Sequence, residues 1–557
     1  MKKMKIIECV PNFSEGRDHK ILDSISAVIK AVDGVTLLDV DPGADTNRTV
    51  YTLVGAPEPV MEAAFRAVKK AAELIDMTKH HGAHPRMGAT DVCPFIPVNG
   101  VTMEECAEYA HQVAKRVGDE LGIPVYMYEY AATKPLWKNL AEVRKGEYEG
   151  LKEREGKPEW KPDYGPHKFN PKAGATAISA REFLIAYNIN LNSRDQKKAH
   201  DLALSIREKG RVKRDEKGKI VKDKDGNKVM EPGLFQYCKA VGWFIDEYKR
   251  AQISINLTNY KVTPPHLVLE KVRELAKEKG IQITGSELVG LIPKEAILMA
   301  GKYYLKMMGE SAGLPENMII ETAVQSMGLA DLADFNIDEK VIEYAIAAKN
   351  NLVNMTLTHF ADELSTDSPA PGGGSVAALC SSISGALSAM VSNLTFGKKG
   401  YEKVWEEAAS LAEAGQKVKE LSLHAIDTDT LAFYAMMEAM RLPKNSDEEE
   451  KIRKAAIQET TKKAILVPLE TLEIAWQAVE LAQKVAAIGN ANALSDAGVA
   501  AITANAAAKA AYLNVKINMG SIEDEKFKFD ILTQAETLLN QVDKIALQVE
   551  KEIREKV

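Results

Sequence analysis

The sequence predicts a multidomain protein of mixed α/β and all-α class, with two ferredoxin-like βαββαβ subdomains followed by a helical domain. Three observations lead to this prediction. The chain has 557 residues, which is too many for one hydrophobic core. Strand and helix patterns alternate in the same order twice within residues 1–326. After about Asn336 the strand patterns stop, and alanine-rich helical patterns take over.

The first subdomain, residues 1–180, contains the order β-α-β-β-α-β, which is typical of the ferredoxin-like unit. Its predicted strands are Lys5–Cys9, Val35–Val40, Thr49–Val54, Cys93–Val98 and Val125–Tyr128, and its predicted helices are Ile21–Ile29, Val60–Ile75 and Met103–Leu121. Two prolines lie within Cys93–Val98. Because proline cannot donate a backbone hydrogen bond, they favour an edge strand there.

The second subdomain, residues 181–326, repeats this pattern. Its predicted strands are Phe183–Leu191, Val241–Ile245, Gln252–Leu257 and Ile281–Thr284, and its predicted helices are Gln196–Glu208 and Leu267–Lys279. A cleft between two such sheets is a common ligand site. Tyr148–Gly174 is too long for an ordinary connection, which indicates a functional segment, with a linker or disorder as the alternative. Arg211–Met230 is interpreted as a solvated, charged hairpin with Asp225 and Gly226 at its tip.

Residues 327–355 are predicted to be a linker, and residues 356–557 an all-helical domain of ordinary size. The predicted helices of this domain are Trp405–Leu423, Thr430–Met440, Asp447–Val485, Ser495–Ile517 and Lys526–Glu555.

Composition excludes several classes of protein. The net charge of −7 argues against a broad nucleic-acid surface, which needs a basic domain. Five scattered cysteines without a CxxC pair argue against a disulfide framework and predict a reducing, cytoplasmic location. The short apolar run at the N-terminus indicates a first strand and not a signal peptide. No membrane span is expected, since serines and Gly385 dilute the nearest candidate, Ser375–Val391.

Two polar stretches stand out in the first part of the chain. Asp39–Val50 places acids, an amide and an arginine on a turn between two strands, and His80–Asp91 places three histidines, an arginine and an aspartate ahead of a strand. The histidines have three interpretations: a metal site, a structural capping loop, or a general base beside an arginine. Gly82 and Pro85 interrupt the regular spacing of metal ligands. A base is therefore favoured, because an imidazole exchanges protons near neutral pH.

These stretches resemble glutamate formiminotransferase. The resemblance is carried by Glu8–Gly16, Asp39–Val50 and His84–Val98 in the first subdomain, and by Phe183–Leu191 and Gly285–Pro293 in the second. It covers nearly all of residues 1–326. The Arg211–Met230 insertion is longer than the family pattern.

The resemblance implies that His84 is the catalytic residue. One imidazole can take the proton that N5 of tetrahydrofolate loses and return it to the departing glutamate nitrogen. A dicarboxylate substrate needs cations, so Arg48 and Arg86 are the candidates, with Asn47 beside them. Asp41 is a candidate for the pterin or the amidine. The folate-contacting stretch of the family matches Gly165, Pro166, His167, Lys168, Phe169, Asn170, Pro171, Lys172, Ala173 and Gly174.

The helical domain opens with Gly372, Gly373, Gly374 and Ser375. Glycines ahead of a helix either present backbone N–H groups to an anion or let helices approach closely. The small residues Gly374, Ala378, Ser382 and Ala386, spaced by four, favour packing.

This domain resembles formiminotetrahydrofolate cyclodeaminase over most of residues 355–545. The resemblance is carried by Phe360–Ala377, Asp427–Phe433, Arg441–Asn445 and Asn490–Ala500. It implies that Asp429 is catalytic, with Asp427 and Asp496 as further candidates for the site. Helix capping is the alternative for those two. The domain is also similar to methenyltetrahydrofolate cyclohydrolases.

The two resemblances together imply a bifunctional folate enzyme of histidine degradation. It would move a formimino group from formiminoglutamate to tetrahydrofolate and then close the ring to 5,10-methenyltetrahydrofolate with loss of ammonia. Tetrahydrofolate is the cosubstrate, with or without a polyglutamate tail. They imply a homo-oligomer and no metal, nucleotide, nucleic acid or membrane partner. Two rivals stay open: a formyltransferase with a cyclohydrolase on the same folds, and an inactive folate-binding scaffold.

Overall fold

The computed structural model describes residues 5–43, 47–82, 85–245, 248–332, 334–346 and 352–557. The chain forms two compact units. The first unit contains Met1–Ala300 and Val324–Ala347, and the second contains Gly301–Ala323 and Ala348–Val557. The chain therefore passes between the units three times.

A seven-stranded sheet forms the first half of the first unit. Its strands are β1 (Ile6–Cys9), β2 (Asn12–Phe13), β3 (Val35–Gly43), β4 (Arg48–Gly55), β5 (Thr90–Asn99), β6 (Val125–Glu129) and β7 (Thr176–Ala180). β1 and β2 both pair antiparallel with β4 on one side and β5 on the other, and β3 lies outside β4. Beyond β5, the strands β7 and β6 continue the sheet in parallel.

Helices cover one face of this sheet. They are α1 (His19–Lys30), α2 (Pro57–Leu74) and α3 (Met103–Leu121). The short helices α4 (Leu140–Val143) and α5 (Leu151–Arg154) pack against the other face, where Val143 and Leu151 join a cluster with Tyr126 and Tyr128. Ile7, Cys9 and Phe13 belong to the same hydrophobic core as the inner residues of α1, α2 and α3. Because side chains alternate along a strand, Glu8, Val10 and Asn12 point to the opposite face.

β5 is not an edge strand, contrary to the prediction from its prolines. It lies between β1 and β2 on one side and β7 on the other. Proline lacks the N–H donor but keeps its carbonyl acceptor. The carbonyl of Pro94 accepts a hydrogen bond from the Val10 N–H at 3.1 Å, so this proline still contributes to the pairing.

A four-stranded antiparallel sheet forms the second half of this unit, in the order β11-β12-β8-β13. Its strands are β8 (Ile185–Leu191), β11 (Cys238–Ile245), β12 (Arg250–Leu257) and β13 (Ile283–Val289), and its helices are α6 (Gln196–Ile206) and α7 (Pro265–Glu278). The Arg211–Met230 insertion begins and ends in the paired strands β9 (Arg211–Val212) and β10 (Met230–Glu231). Its tip at Gly226 has a φ of 81°, as a glycine turn requires.

Helices α8 (Lys294–Met308) and α9 (Glu316–Met327) each continue across the boundary between the units, and α10 (Ile337–Lys340) and α11 (Ile342–Ala345) follow. The predicted boundary at residue 326 and the predicted linker over 327–355 differ from this division. Gly301–Ala323 belongs to the helical unit, whereas Val341 and Ile342 are buried in the first unit. There the Ile292 N–H donates to the Lys340 carbonyl at 2.9 Å, and the Ile292 carbonyl accepts from the Ile342 N–H at 3.1 Å.

The second unit contains six further helices in its described part, which range from 8 to 42 residues in length. They are α12 (Leu357–Leu364), α13 (Gly373–Asn393), α14 (Trp405–Arg441), α15 (Asp447–Ile488), α16 (Leu494–Asn518) and α17 (Glu525–Arg554). α14 is one continuous helix, where two helices were predicted. Its middle is held by buried Ala425 and Ile426 and by contacts of Asp427 and Asp429 with other segments.

α13 is the central helix of this unit and contacts α14, α15 and α16. Within the described residues it is the one helix long and apolar enough to cross a membrane by length and composition, and most of it is buried among these neighbours. The small residues allow close packing, as predicted: Gly374, Ala378 and Ser382 of the predicted stripe are buried. At Gly385, outside the stripe, a Cβ would lie 2.8 Å from the Gly415 carbonyl oxygen of α14. Ala386 of the predicted stripe is exposed.

Candidate functional site

A cleft of about 880 Å³ lies in the first unit. One wall is the face of the first sheet that carries Glu8, Asn12 and Arg48, and the segments around Arg144 and Phe183 contribute to it. Residues near the ends of β11, β12 and β13 form the rest of the lining. The alternation of β1 and β4 brings these polar side chains to the face opposite α1, α2 and α3.

One end of the cleft contains a cluster of two arginines on one aspartate. Arg48 Nη1 and Arg144 Nη2 each donate to Asp91 Oδ2 at 2.5 Å. Arg48 also donates to Asn12 Oδ1 through Nε at 3.0 Å and Nη2 at 2.7 Å. Burial lowers the pKa of Arg48, while Asp91 opposes this shift. Asn12 therefore holds the Arg48 guanidinium in a fixed orientation.

The other end of the cleft contains carboxyl groups. Glu8 on β1 is buried, and burial raises its pKa to about 7, although Arg181 favours the charged form. Burial also raises the pKa of Glu129, and Arg181 and Lys239 oppose that shift. A carboxyl group with a pKa near neutrality can hold or release a proton at physiological pH.

Only some of the predicted binding residues in the Asp39–Val50 stretch line the cleft. Arg48 lines the cleft, whereas Asp41 is exposed on β3 and is not part of the described lining. Asp39, two residues earlier on that strand, lines the cleft, and burial raises its pKa. Asn47 is buried, and its side chain links two backbone segments. It accepts a hydrogen bond from the Gly16 N–H and donates one to the His81 carbonyl, both at 3.0 Å.

Arg86 lies away from Arg48, against a separate open pocket of about 460 Å³. Its guanidinium donates to both oxygens of Glu149, at 2.7 and 2.9 Å, and its Nε donates to Nδ1 of His80 at 3.2 Å. The hydrogen bond with Glu149 raises the pKa of Arg86. The guanidinium fork is therefore already occupied by a carboxylate of the protein.

The predicted folate stretch, 165–174, packs beside this region and not along the cleft. Residues of the stretch, with Tyr126, Leu151 and Arg154, surround a space of only about 20 Å³. Gly174 has a φ of 70°, and a Cβ there would lie 2.3 Å from the Met87 carbonyl oxygen. This close approach explains why a glycine ends the stretch.

His84 lies outside the described residues, so its predicted role stays a prediction. Of its described neighbours, His80 is buried, accepts the hydrogen bond from Arg86, and bonds the Asn47 carbonyl at 2.9 Å. Burial lowers the pKa of His80, which favours the neutral imidazole. Across the described part of the chain, no group of three His, Cys, Asp or Glu side chains could hold a metal ion.

In the second unit, the Gly-rich motif and Asp429 come together. Gly372 is the N-cap of α13 and supplies no side-chain hydrogen bond. The Asp429 carboxylate takes that place from α14: Ser375 Oγ donates to its Oδ2 at 3.2 Å, and the Ser375 N–H donates to it as well. Burial raises the pKa of Asp429, and these hydrogen bonds oppose the shift.

Both earlier interpretations of the glycines describe part of this arrangement. The helix N-terminus does receive an anion, and that anion is an aspartate of the protein. Close approach is also required, because a Cβ on Gly374 would lie 2.1 Å from Asp429 Oδ1.

Asp427 and Asp496 do not join this carboxylate. Asp427 lies two residues before Asp429 on the same helix, about 200° around its axis. It accepts the N–H of Leu352 at 2.8 Å. Asp496 lies in the first turn of α16. Neither is an N-cap, since the caps of α14 and α16 are Val404 and Ala493.

Sequence reasoning missed Arg144, Glu8 and Arg181 as cleft residues. Glu8 could have been found, because it is the charged position in the alternation of β1. Arg144 follows a four-residue helix and has no motif of its own.

Three family models match the chain in order. The formiminotransferase domain, N-terminal subdomain, covers residues 6–181, the formiminotransferase domain covers 186–347, and formiminotransferase-cyclodeaminase covers 356–537.

Similar proteins match the whole chain or one of its halves. The formimidoyltransferase-cyclodeaminase of Dictyostelium discoideum is 41% identical over 540 residues, 96% of this chain and 96% of that protein. The glutamate formimidoyltransferase of Streptococcus pyogenes is 44% identical over 302 residues, 54% of this chain and 94% of that protein. The methenyltetrahydrofolate cyclohydrolase of Methylorubrum extorquens is 38% identical over 204 residues, 37% of this chain and 98% of that protein.

The family predicted from the sequence motifs is confirmed by these matches. They cover both halves of the chain, in the same order as in the full-length relatives. The chain belongs to the formimidoyltransferase-cyclodeaminase family.

Proposed function

We propose that this chain catalyses two consecutive folate reactions. The first transfers the formimino group of N-formimino-L-glutamate to N5 of tetrahydrofolate and releases glutamate. The second closes 5-formiminotetrahydrofolate to 5,10-methenyltetrahydrofolate and releases ammonia. The observation that carries this proposal is the 41% identity, over 96% of both chains, to a relative that is named for both activities. This function belongs to histidine degradation and uses tetrahydrofolate as a cosubstrate.

In the transfer, a bond forms between N5 and the formimino carbon, and the bond from that carbon to the glutamate nitrogen breaks. N5 loses a proton, and the glutamate nitrogen gains one. The family motif assigns this proton to His84, since one imidazole can accept it and return it. The cleft of the first unit supports the proposal, because it offers arginines for carboxylates at one end and carboxyl groups for nitrogen donors at the other.

In the ring closure, N10 bonds to the formimino carbon, and the bond to the amino nitrogen breaks. The N10 proton leaves, and ammonia departs with a proton gained. A carboxylate beside the carbon can move this proton and stabilise the cationic amidine and methenyl groups. Asp429 supports this role, because burial raises its pKa and Ser375 fixes its orientation.

One assay tests both steps. Purified protein is supplied with tetrahydrofolate and formiminoglutamate, and glutamate, ammonia and the absorbance of methenyltetrahydrofolate are followed. Equal yields of all three are expected. Glutamate without ammonia would remove the second activity, and no glutamate release would remove the first.

A second candidate function is a formyltransferase joined to a methenyltetrahydrofolate cyclohydrolase. The 38% identity of the helical part to the Methylorubrum extorquens cyclohydrolase favours it. The same protein, supplied with 5,10-methenyltetrahydrofolate alone, separates the two. Enzymatic hydrolysis without any ammonia-releasing activity supports the cyclohydrolase.

We further propose that both sheets of the first unit are ferredoxin-like and that the chain is a cytoplasmic homo-oligomer. The order β3, β4, β1 with β2, and β5 within the seven-stranded sheet matches the order β11, β12, β8 and β13 of the second sheet, which supports the first point. Five free cysteines are consistent with a reducing cytoplasm. Exposed Leu513, Ile517 and Phe529, each more than 60% accessible, support burial of the helical unit against another copy.

A further inference from the structure

We propose that Arg144, held by Asp91 and Arg48, is a carboxylate-binding residue of the transferase cleft. This inference rests on the proposed function and names a residue outside the family motifs of the sequence. Its starting point is the cluster of Arg48, Asp91 and Arg144 at one end of the cleft.

The cluster is mostly buried. The side chains of Arg48, Arg144 and Asp91 are 13%, 17% and 1% exposed. Among the described residues, Asp91 is the carboxylate that pairs with Arg144, and it is shared with Arg48. A guanidinium donor without an acceptor is costly in such a buried position, so a ligand anion that reaches Arg144 is bound favourably.

The acceptor capacity of Asp91 is already used. Its Oδ2 receives Arg48 Nη1 and Arg144 Nη2, and its Oδ1 receives the Met87 N–H at 3.0 Å and Arg144 Nε at 3.3 Å. Asp91 therefore holds both guanidiniums in position but has no capacity left to neutralise a second positive charge.

The donors of Arg144 are not all used. Its Nε and Nη2 both point to Asp91, and within the described part of the chain its Nη1 has no hydrogen-bond partner. A guanidinium nitrogen at a cleft wall is a strong donor to carboxylate oxygens. Arg86, the other arginine predicted from the sequence, is paired through both outer nitrogens with Glu149.

The opposite end of the cleft gives the ligand a direction. Glu8 on β1 and Asn12 on β2 are four residues apart, and both strands pair with β5. At the rise of a β-strand this corresponds to about 13 Å between Glu8 and Asn12, which holds Arg48. At the Glu8 end, the cations Arg181 and Lys239 already face two carboxyl groups, Glu8 and Glu129. At the other end, Nη1 of Arg144 has no hydrogen-bond partner among the described residues and can receive a carboxylate. A ligand with a carboxylate at one end and nitrogen donors at the other is therefore bound in one orientation.

Two reaction partners carry suitable carboxylates: formiminoglutamate, and the glutamyl part of tetrahydrofolate. The shared chemistry is a carboxylate on Nη1 of Arg144, and kinetics distinguish the two sources. Full-length Arg144→Gln removes the charge at similar size, and Arg144→Lys keeps the charge. Arg116→Gln is the matched control, since Arg116 on α3 pairs with Glu62 on α2 and Glu120 on α3, outside the cleft.

Arg144→Gln is expected to raise one KM by about 10- to 100-fold, which is the effect of losing a hydrogen bond to a charged group. A rise in the KM for formiminoglutamate assigns the carboxylate to that substrate, and a rise for tetrahydrofolate assigns it to the folate. Arg144→Lys should recover part of the loss, and Arg116→Gln should leave both constants unchanged. The dissociation constant of glutamate, measured by calorimetry, reports the same site without turnover.

The proposal is overturned if Arg144→Gln changes neither KM and does not weaken glutamate binding, or if it lowers kcat alone. A wild-type protein that binds glutamate through Arg144 but transfers no formimino group would contradict the proposed function and leave the carboxylate site supported. Melting temperatures of all variants exclude a loss through unfolding.

Discussion

Gly374→Ala should disable ring closure without destabilising the protein. A Cβ at this position would lie 2.1 Å from Asp429 Oδ1 and 2.5 Å from its Cγ, whereas real Cβ contacts essentially never fall below 3.0 Å. The carboxylate must therefore move by roughly 1 Å, because the side chain yields more easily than the helix backbone. The change acts directly on the position of the proposed catalytic group.

The expected magnitude follows from this displacement. A misplacement of about 1 Å in an active site costs about 10²-fold in rate, which is about 2.7 kcal/mol. Stability should not fall in parallel, since alanine is preferred over glycine in a helix by roughly 0.5–1 kcal/mol. Ammonia release should decrease about 100-fold, the melting temperature should be unchanged or higher, and 5-formiminotetrahydrofolate should accumulate.

The neighbouring glycines provide matched controls. A Cβ on Gly372 would have nothing within 4 Å, and one on Gly373 would meet the Asn514 amide nitrogen at 3.2 Å. Gly372→Ala should therefore retain full activity, and Gly373→Ala should show a small loss. Ammonia release with saturating 5-formiminotetrahydrofolate is the assay for all three variants. If Gly374→Ala keeps ring closure within about threefold of wild type, the carboxylate of Asp429 does not need its present position, and the reasoning fails.

Three further predictions concern single groups. Asp429→Asn should stop ammonia release and spare glutamate release. Asp427→Asn should leave the rate near wild type and cost about 1 kcal/mol of stability, because it only weakens the hydrogen bond from the Leu352 N–H. If the two effects are reversed, the two assignments must be exchanged. Glu8 has a pKa of about 7 in the folded protein and 4.5 in the reference state, so the folded protein keeps the proton between these values. The free energy of unfolding should therefore fall by about 3 kcal/mol as the pH rises from 4.5 to 7. Glu8→Gln should remove this loss, and parallel melting profiles of the two proteins from pH 5 to 8 would contradict the prediction. His84→Ala should lower the rate of transfer by about 10²–10⁴-fold while folate still binds, and a rate within a few-fold of wild type would remove His84 from the mechanism.

The order of elements in the first unit could be predicted because periodicity distinguishes its strands from its helices. β5 was misplaced at an edge, since the prolines suggested a lost donor, and the sequence does not reveal that the carbonyl of Pro94 is the group that pairs. α14 was divided into two helices because aspartates and threonines in a helix interior usually compete for the backbone. In the structure the acids at positions 427 and 429 bond segments far away in the chain instead.

The candidate site shows the same limit. Family motifs indicated Arg48, the glycine run and Asp429, and the structure brings the last two into contact. Arg144 could not be found, because its position depends on which strands pair beside β5, and that pairing is not encoded near residue 144. Conversely, Arg86 and the 165–174 stretch have strong motifs but lie away from the cleft in this structure.

The helix pair of α8 and α9 has a consequence for synthesis on the ribosome. Its middle part, Gly301–Ala323, leaves the ribosome before any of its partners in the helical unit. Gly313 accepts a hydrogen bond from Gln416, which follows 103 residues later. At the usual speed of translation that delay is about 5–20 s.

During this delay Gly313 has not reached Ala412, against which it packs closely in the finished protein, and Lys302 has not reached its ion-pair partner Glu413. The segment 301–323 therefore lacks its contacts with α14 at a defined point of elongation. Slowing translation after codon 323 should prolong that stage and increase aggregation, whereas slowing it after the last helix should not.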